Sequence, residues 1–182
     1  TFAVIVELCV ANTSNYTMAQ PKDAYVSDYD NYQSISQEVE ESESELFYRT
    51  ELSKLRTRMD PSWYGYNGIS AFSSMAYEHV SKLMDKLGMF GNSINSYTYY
   101  PQTPVFNSMF AMKYIYDTDS DLLNDGPYYS YITENENFTA YEYEYYLPLA
   151  FTVNEGVEYW DTTAGNPFTV QNNFIYSATG IE

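Results

Sequence analysis

The residues best suited to contact a ligand lie between positions 61 and 70, which read Pro-Ser-Trp-Tyr-Gly-Tyr-Asn-Gly-Ile-Ser. Aromatic rings can stack on the faces of sugars, and amide groups can bond sugar hydroxyls. The favoured interpretation of these rings is nevertheless core packing, since buried aromatic area is a main source of stability. If the loop instead contacts a ligand, the candidate binding residues are Trp63, Tyr64, Tyr66, Asn67, Ser70, Arg49, Tyr99 and Tyr100.

A weak metal candidate is formed by Asp117, Asp119 and Asp121, which have the alternate acidic spacing of a calcium loop. Leu122 stands where such a loop needs glycine, and Tyr128 stands where it needs a bidentate glutamate. A solvated acidic turn is therefore the favoured interpretation of this segment.

Catalytic chemistry has little support in the sequence. His79 is the only histidine and Cys9 the only cysteine, so a zinc site or a serine–histidine–aspartate triad would depend on one imidazole. We expect His79 to be partly buried on a helix. The 25 acidic residues allow carboxylate pairs suited to glycoside hydrolysis, but the sequence singles out none. We predict no catalytic residue and no cofactor.

The charge balance excludes two classes of partner. With 8 basic and 25 acidic residues, the net charge of −17 repels the phosphates of nucleic acids and of anionic lipids. A length of 182 residues and a 45% hydrophobic content are sufficient for one domain with a buried core.

The best helix pattern begins at Phe72 and ends at Leu87, with apolar residues spaced three and four apart. Ser70 is the expected N-cap, and Gly88 is expected to end the helix. A final helix is expected to begin at Asn166 and Pro167 and to end at Gly180. An acidic helix with Ser34 as its N-cap is expected over 34–46, and one helical turn over 106–110.

Alternating residues predict strands over 46–52, 111–117 and 149–154. A hairpin is predicted from Tyr128–Thr133 and Phe138–Glu144, because the turn residues Glu-Asn-Glu-Asn lie between them. These elements predict an α+β fold, or a three-layer α/β fold, in which a mixed sheet carries about three packed helices.

Residues 1–11 form an apolar run that is too short to span a bilayer. Its β-branched residues favour a first strand, and the stub of a membrane span is the alternative. Because the chain starts at Thr1, we interpret residues 1–182 as a single domain excised from a longer protein.

Several segments occur in the order found in a known membrane protein family. They are Phe47-Tyr48-Arg49, Tyr64 to Ser74, Leu87-Gly88, Met112 to Ile115, Tyr141-Glu142, Leu147 to Phe151, Asn166 to Phe168, Gln171 to Asn173 and Thr179-Gly180. Over about residues 46–182 the chain resembles the extracytoplasmic region of the YfhO family of bacterial polytopic membrane proteins. Tyr143 departs from the pattern, since the family usually has Asn at that position.

The resemblance implies a location on the extracytoplasmic face of the cell membrane, with the protein's own transmembrane helices as partners. The family resembles multi-span glycosyltransferases that use a polyprenyl-phosphate-linked sugar, and it is associated with glycosylating envelope polymers such as lipoteichoic acid. The chain itself is then expected to be non-catalytic and to pack over the membrane site or hold an acceptor glycopolymer. The alternative is an adhesion module that binds protein or carbohydrate without glycosyl transfer.

Overall fold

A computed structural model describes residues 1–17, 22–118 and 127–181. The chain divides into two compact units, Thr1–Asp30 and Asn31–Glu182. The helices of the described residues are α1 Phe2–Thr17, α2 Asp23–Val26, α3 Tyr29–Ser42, α4 Asp60–Tyr64, α5 Glu78–Lys86, α6 Pro104–Met109 and α7 Pro167–Thr179. The strands are β1 Arg49–Leu52, β2 Ala71–Phe72, β3 Ser96–Tyr97, β4 Met112–Asp117, β5 Tyr129–Glu134 and β6 Thr139–Tyr143.

The first unit contains α1 and α2, so the predicted strand over residues 1–11 is wrong. A helix pairs its backbone groups within itself, whereas a strand needs a neighbouring strand, and this difference overrides the β-branched composition. The apolar side chains of α1, including Phe2, Ile5 and Leu8, are exposed. Among the described helices, none has both the length and the apolar character needed to cross a membrane.

The second unit is built on a mixed sheet with the strand order β1-β4-β6-β5. Strand β1 runs parallel to β4, while β4 and β5 both run antiparallel to β6. The β5–β6 hairpin turns at Asn135, whose side-chain oxygen accepts hydrogen bonds from the amides of Asn137 and Phe138. The α+β fold class and the hairpin are confirmed. The predicted strand over 149–154 is wrong, because this segment is largely exposed and has no regular secondary structure.

The central helix is shorter than predicted. Residues 71–72 pair with 96–97 in a two-stranded sheet, and α5 begins only at Glu78. Ser70 is therefore not a helix cap, although Gly88 follows the end of α5 with a φ of 90°. Helix α3 likewise begins at Tyr29, before the expected cap at Ser34, and ends at Ser42.

The main core lies between strand β4 and the helices that cover it. Met112 and Ile115 of β4 are fully buried in one cluster with Leu87, Phe106 and Val170. These three residues lie at the end of α5, in α6 and in α7, so the core holds the three helices on the sheet. On the other side, α3 buries Tyr32, Ile35 and Val39.

Candidate functional site

The predicted binding loop directs part of its aromatic surface into the protein. Tyr64, the last residue of α4, is buried, and its ring centroid lies 4.5 Å from that of Tyr32. The ring of Tyr66 lies 5.5 Å from the same Tyr32 ring and is half-buried. The favoured interpretation of core packing therefore holds for these two rings.

A buried carboxylate organises this loop. Glu51 of β1 has no exposed surface, and its Oε1 accepts hydrogen bonds from the amides of Ile69 and Ser70 at 2.7 and 2.6 Å. The hydroxyl of Tyr66 donates to Oε2 at 3.3 Å. Burial raises the pKa of Glu51, and the two amide donors oppose that rise. Burial, together with the charge of Glu51, also raises the pKa of Tyr66, so its hydroxyl remains a donor.

Ser70 and Tyr99 are buried and belong to the same hydrogen-bond network as Glu51. The hydroxyl oxygen of Ser70 accepts from the amide of Tyr99 at 2.9 Å, and the Tyr99 hydroxyl donates to Asn107 Oδ1. The amide of Asn107 donates in turn to the Tyr129 hydroxyl at 3.0 Å. Tyr99 is fully buried, so neither its ring nor its hydroxyl is open to a ligand.

Arg49 makes structural contacts. Its guanidinium donates to the carbonyl of Phe110 at 2.8 Å and lies 5.3 Å from the centroid of the Phe47 ring. Burial lowers the pKa of Arg49. Of the predicted binding residues, only Trp63, Asn67 and Tyr100 are exposed.

The metal candidate is only partly within the described residues, because Asp119 and Asp121 lie outside them. Asp117 is buried and accepts a hydrogen bond from the hydroxyl of Ser53. Within 1–17, 22–118 and 127–181, no three His, Cys, Asp or Glu side chains are grouped to hold a metal ion. His79 is exposed, which corrects the expectation that it would be partly buried.

Lys113, part of a segment that resembles the YfhO pattern, has a structural role. Its ammonium lies 2.7 Å from Glu43 Oε2, which also accepts from the Tyr114 hydroxyl at 2.6 Å. Burial alone would raise the pKa of Glu43, but these donors and the backbone amides of Ser44 and Glu45 lower it to about 2. The cluster therefore holds the segment after α3 against β4.

Helix α7 forms in the way the sequence predicts. Asn166 Oδ1 accepts from the amide of Phe168 at 2.9 Å, and Pro167 occupies the first turn. Gln171 is buried and joins two neighbouring helices: its oxygen accepts from the Thr103 hydroxyl, and its amide donates to the carbonyl of Leu87, both at 2.7 Å. These bonds fix the inner face of α7, whereas Asn172 and Tyr176 on its outer face are exposed.

A 3-10 helix, Glu155–Tyr159, packs against one side of α7. The amide of Asn154 donates to the carbonyl of Ala178 at 2.8 Å, and the Trp160 indole donates to the carbonyl of Val170 at 2.8 Å. Gly156 permits the close approach, because a Cβ at this position would lie 2.7 Å from the carbonyl oxygen of Ser177.

Two open grooves follow the outer face of α7. The first groove, of about 520 Å³, lies between α7 and the 3-10 helix, and the second, of about 610 Å³, lies on the side of Val105 and Ile181. Asn173 and Tyr176 line both. The remaining side chains of the first groove include Asn154, Tyr159, Asp161 and Ser177. Both volumes are within the range of ligand-binding pockets.

The first groove combines exposed rings with hydrogen-bonding groups. Tyr159 is 84% exposed and Tyr176 is 54% exposed. The hydroxyl and amide of Thr163 donate to Asp161 Oδ1 at 2.7 and 2.8 Å, and these bonds lower the pKa of Asp161. Asn173 donates to the Asp161 carbonyl at 3.4 Å. Rings beside amide and carboxylate groups can bind a sugar by stacking and by bonding its hydroxyls.

Sequence reasoning missed this groove. It identified α7 from its buried face and assigned no binding role to residues 154–163, although Asn, Gly, Tyr and Trp occur there as they do in 61–68. That shared composition is the signal that could have identified the groove.

The model of one protein family, described as bacterial membrane protein YfhO, matches residues 2–181. The match extends well before position 46, where the resemblance found in the sequence motifs begins. No curated protein and no solved structure matches the chain.

Proposed function

Because the chain belongs to the YfhO family of bacterial membrane proteins, we propose that it is a non-catalytic extracytoplasmic domain that handles the acceptor glycan during glycosylation of cell-envelope polymers. Lipoteichoic acid is the type of polymer that the family resemblance suggests. In this proposal, glycosyl transfer from a polyprenyl-phosphate-linked sugar takes place at the membrane-embedded part of the protein. The membrane-embedded part of the same protein would then act on a glycan that this domain holds.

The observation that carries the proposal is the first groove. It is open, it presents the rings of Tyr159 and Tyr176, and it places Asn154, Asp161 and Asn173 around them. The predicted loop offers much less, because Tyr64 and Tyr99 are buried. The exposed rings and amides of the grooves support a binding role.

The proposal is tested by titrating the chain with neutral disaccharides such as maltose and cellobiose and with soluble teichoic-acid fragments, while amide chemical shifts are followed by NMR. We expect saturable shifts of residues 154–161 and 173–177 with at least one glycan. Tyr176→Ala should weaken that binding about fivefold to tenfold, because a stacking ring is lost. Tyr77→Ala is the matched control, since Tyr77 is 81% exposed and lines neither groove.

Absence of saturable binding by every glycan would overturn the proposal. Equal weakening by the two tyrosine variants would show that the groove is not the site. An adhesion module would bind the glycan in the same way. The two roles are distinguished in cells that carry Tyr176→Ala: polymer glycosylation should fall if the domain takes part in glycosyl transfer and should be unchanged if it is an adhesion module.

A further inference from the structure

Positive charge is distributed very unevenly along the chain. All eight Lys and Arg residues lie between Lys22 and Lys113, and the only histidine is His79. Residues 114–182 therefore contain no basic side chain, although they supply β5, β6, the 3-10 helix and α7. The grooves are built almost entirely from this part of the chain.

The local charge in the first groove is negative. Asp161 lines it, and Glu155 and Glu158 are exposed on the adjoining 3-10 helix. Tyr176, Ser177 and Gly180 lie at the C-terminal end of α7, where the aligned peptide dipoles give the helix a partial negative charge. A phosphate at this position would meet repulsion and would find no basic side chain among the lining residues.

The second groove provides no basic residue either. Its lining is Val105, Asn172, Asn173, Ile175, Tyr176 and Ile181. A glycan that crosses Tyr176 from one groove to the other therefore meets rings, amides and apolar side chains, and no cation to pair with phosphate.

We infer that the α7 grooves select sugar rings that are uncharged or carry a protonated amine, and exclude rings and backbones that carry phosphate. The inference rests on the proposed function and specifies its ligand: the pendant sugars of an envelope polymer enter the grooves, while a phosphodiester backbone runs outside them. Selectivity comes from repulsion of the wrong ligand as much as from stacking on the right one.

The test compares three ligands with similar rings: methyl glucoside, glucosamine and glucose 6-phosphate. In NMR titrations of the full chain at low salt, we expect the first two to give saturable shifts at 173–177. Glucose 6-phosphate should bind on the order of tenfold more weakly, and this difference should narrow as salt screens the repulsion.

An isosteric variant assigns the selectivity to the groove. Glu158→Gln removes a charge beside the first groove without altering a lining residue, so binding of methyl glucoside should stay within about twofold while the discrimination against phosphate shrinks. Glu136→Gln is the control, because Glu136 is exposed at the hairpin turn and its loss changes the net charge equally.

The outcomes separate the inference from the proposed function. If glucose 6-phosphate binds the grooves as tightly as methyl glucoside, the inference is overturned and glycan binding stands. If Glu136→Gln relaxes the discrimination as much as Glu158→Gln, the charge beside the groove is not its source, and the inference is also overturned. If neither these sugars nor any larger glycan binds, the proposed function falls as well.

Discussion

The loop over 60–70 and the outer face of α7 use the same kinds of residue and end with opposite accessibility. The loop and the first groove beside α7 both contain tyrosines together with Asn, Asp and Gly. In the loop, the buried Glu51 accepts hydrogen bonds from two backbone amides, and these bonds hold the loop against strand β1. At α7, Trp160 and Phe174 supply the buried contact, with ring centroids 5.2 Å apart, and Tyr159 and Tyr176 remain outside.

The difference shows that a binding surface is not determined by local composition. Whether a tyrosine is buried or exposed depends on which neighbouring group makes the buried contact. In the loop this contact is made by the carboxylate of Glu51 in the sheet, which accepts hydrogen bonds from backbone amides of the loop. At α7 the buried contact is made by the indole ring of Trp160, and the adjacent Tyr159 is exposed.

Removing the Glu51 carboxylate, which holds the loop over 60–70, should have the largest effect on stability. Glu51→Ala leaves the amides of Ile69 and Ser70 buried without their acceptor, so the free energy of unfolding should fall by about 3 kcal/mol or more. Urea denaturation measures this change. Glu158→Ala, an exposed acid beside the open groove, is the control and should change stability by less than about 0.5 kcal/mol. A loss below about 1 kcal/mol for Glu51→Ala would contradict the assigned role of this carboxylate.

Opening the contact that forms the first groove should have an intermediate effect. In Gly156→Ala the new Cβ would lie 2.7 Å from the Ser177 carbonyl, so the 3-10 helix must shift, at a cost of about 1–3 kcal/mol. Glycan binding should weaken in parallel, which the NMR titration detects. Gly165→Ala is the matched control, since a Cβ at Gly165 would meet no atom within 4 Å. Identical behaviour of the two variants would show that the close approach is not required.

The smallest effect comes from making the same change in both regions. Tyr66→Phe removes the hydroxyl that donates to Glu51, and because the 3.3 Å bond is long, the loss should be about 0.5–1 kcal/mol. Tyr176→Phe removes a hydroxyl from an exposed ring and should leave stability within about 0.5 kcal/mol. Thermal unfolding of both variants measures the difference. A larger loss at Tyr176 than at Tyr66 would reverse the comparison.

The sequence predicted best where the local signal and the tertiary requirement agree. Helix α7 has its cap at Asn166, its proline in the first turn and its glycine at the end, and the structure confirms each of them. Strand β4 and the β5–β6 hairpin were also predicted, because alternating residues and a clear turn mark them. The central helix was extended too far, since Phe72 matched its period but pairs in a short sheet with Ser96.

The sequence by itself determined the acidic charge, the absence of basic residues after Lys113, the α+β class and the family resemblance. Each of these depends on composition, on local spacing or on the order of motifs. Only the tertiary structure decided which tyrosines face solvent. That choice depends on partners far apart in sequence, such as Glu51 with Ser70 and Gly156 with Ser177, and no local pattern specifies where such partners meet.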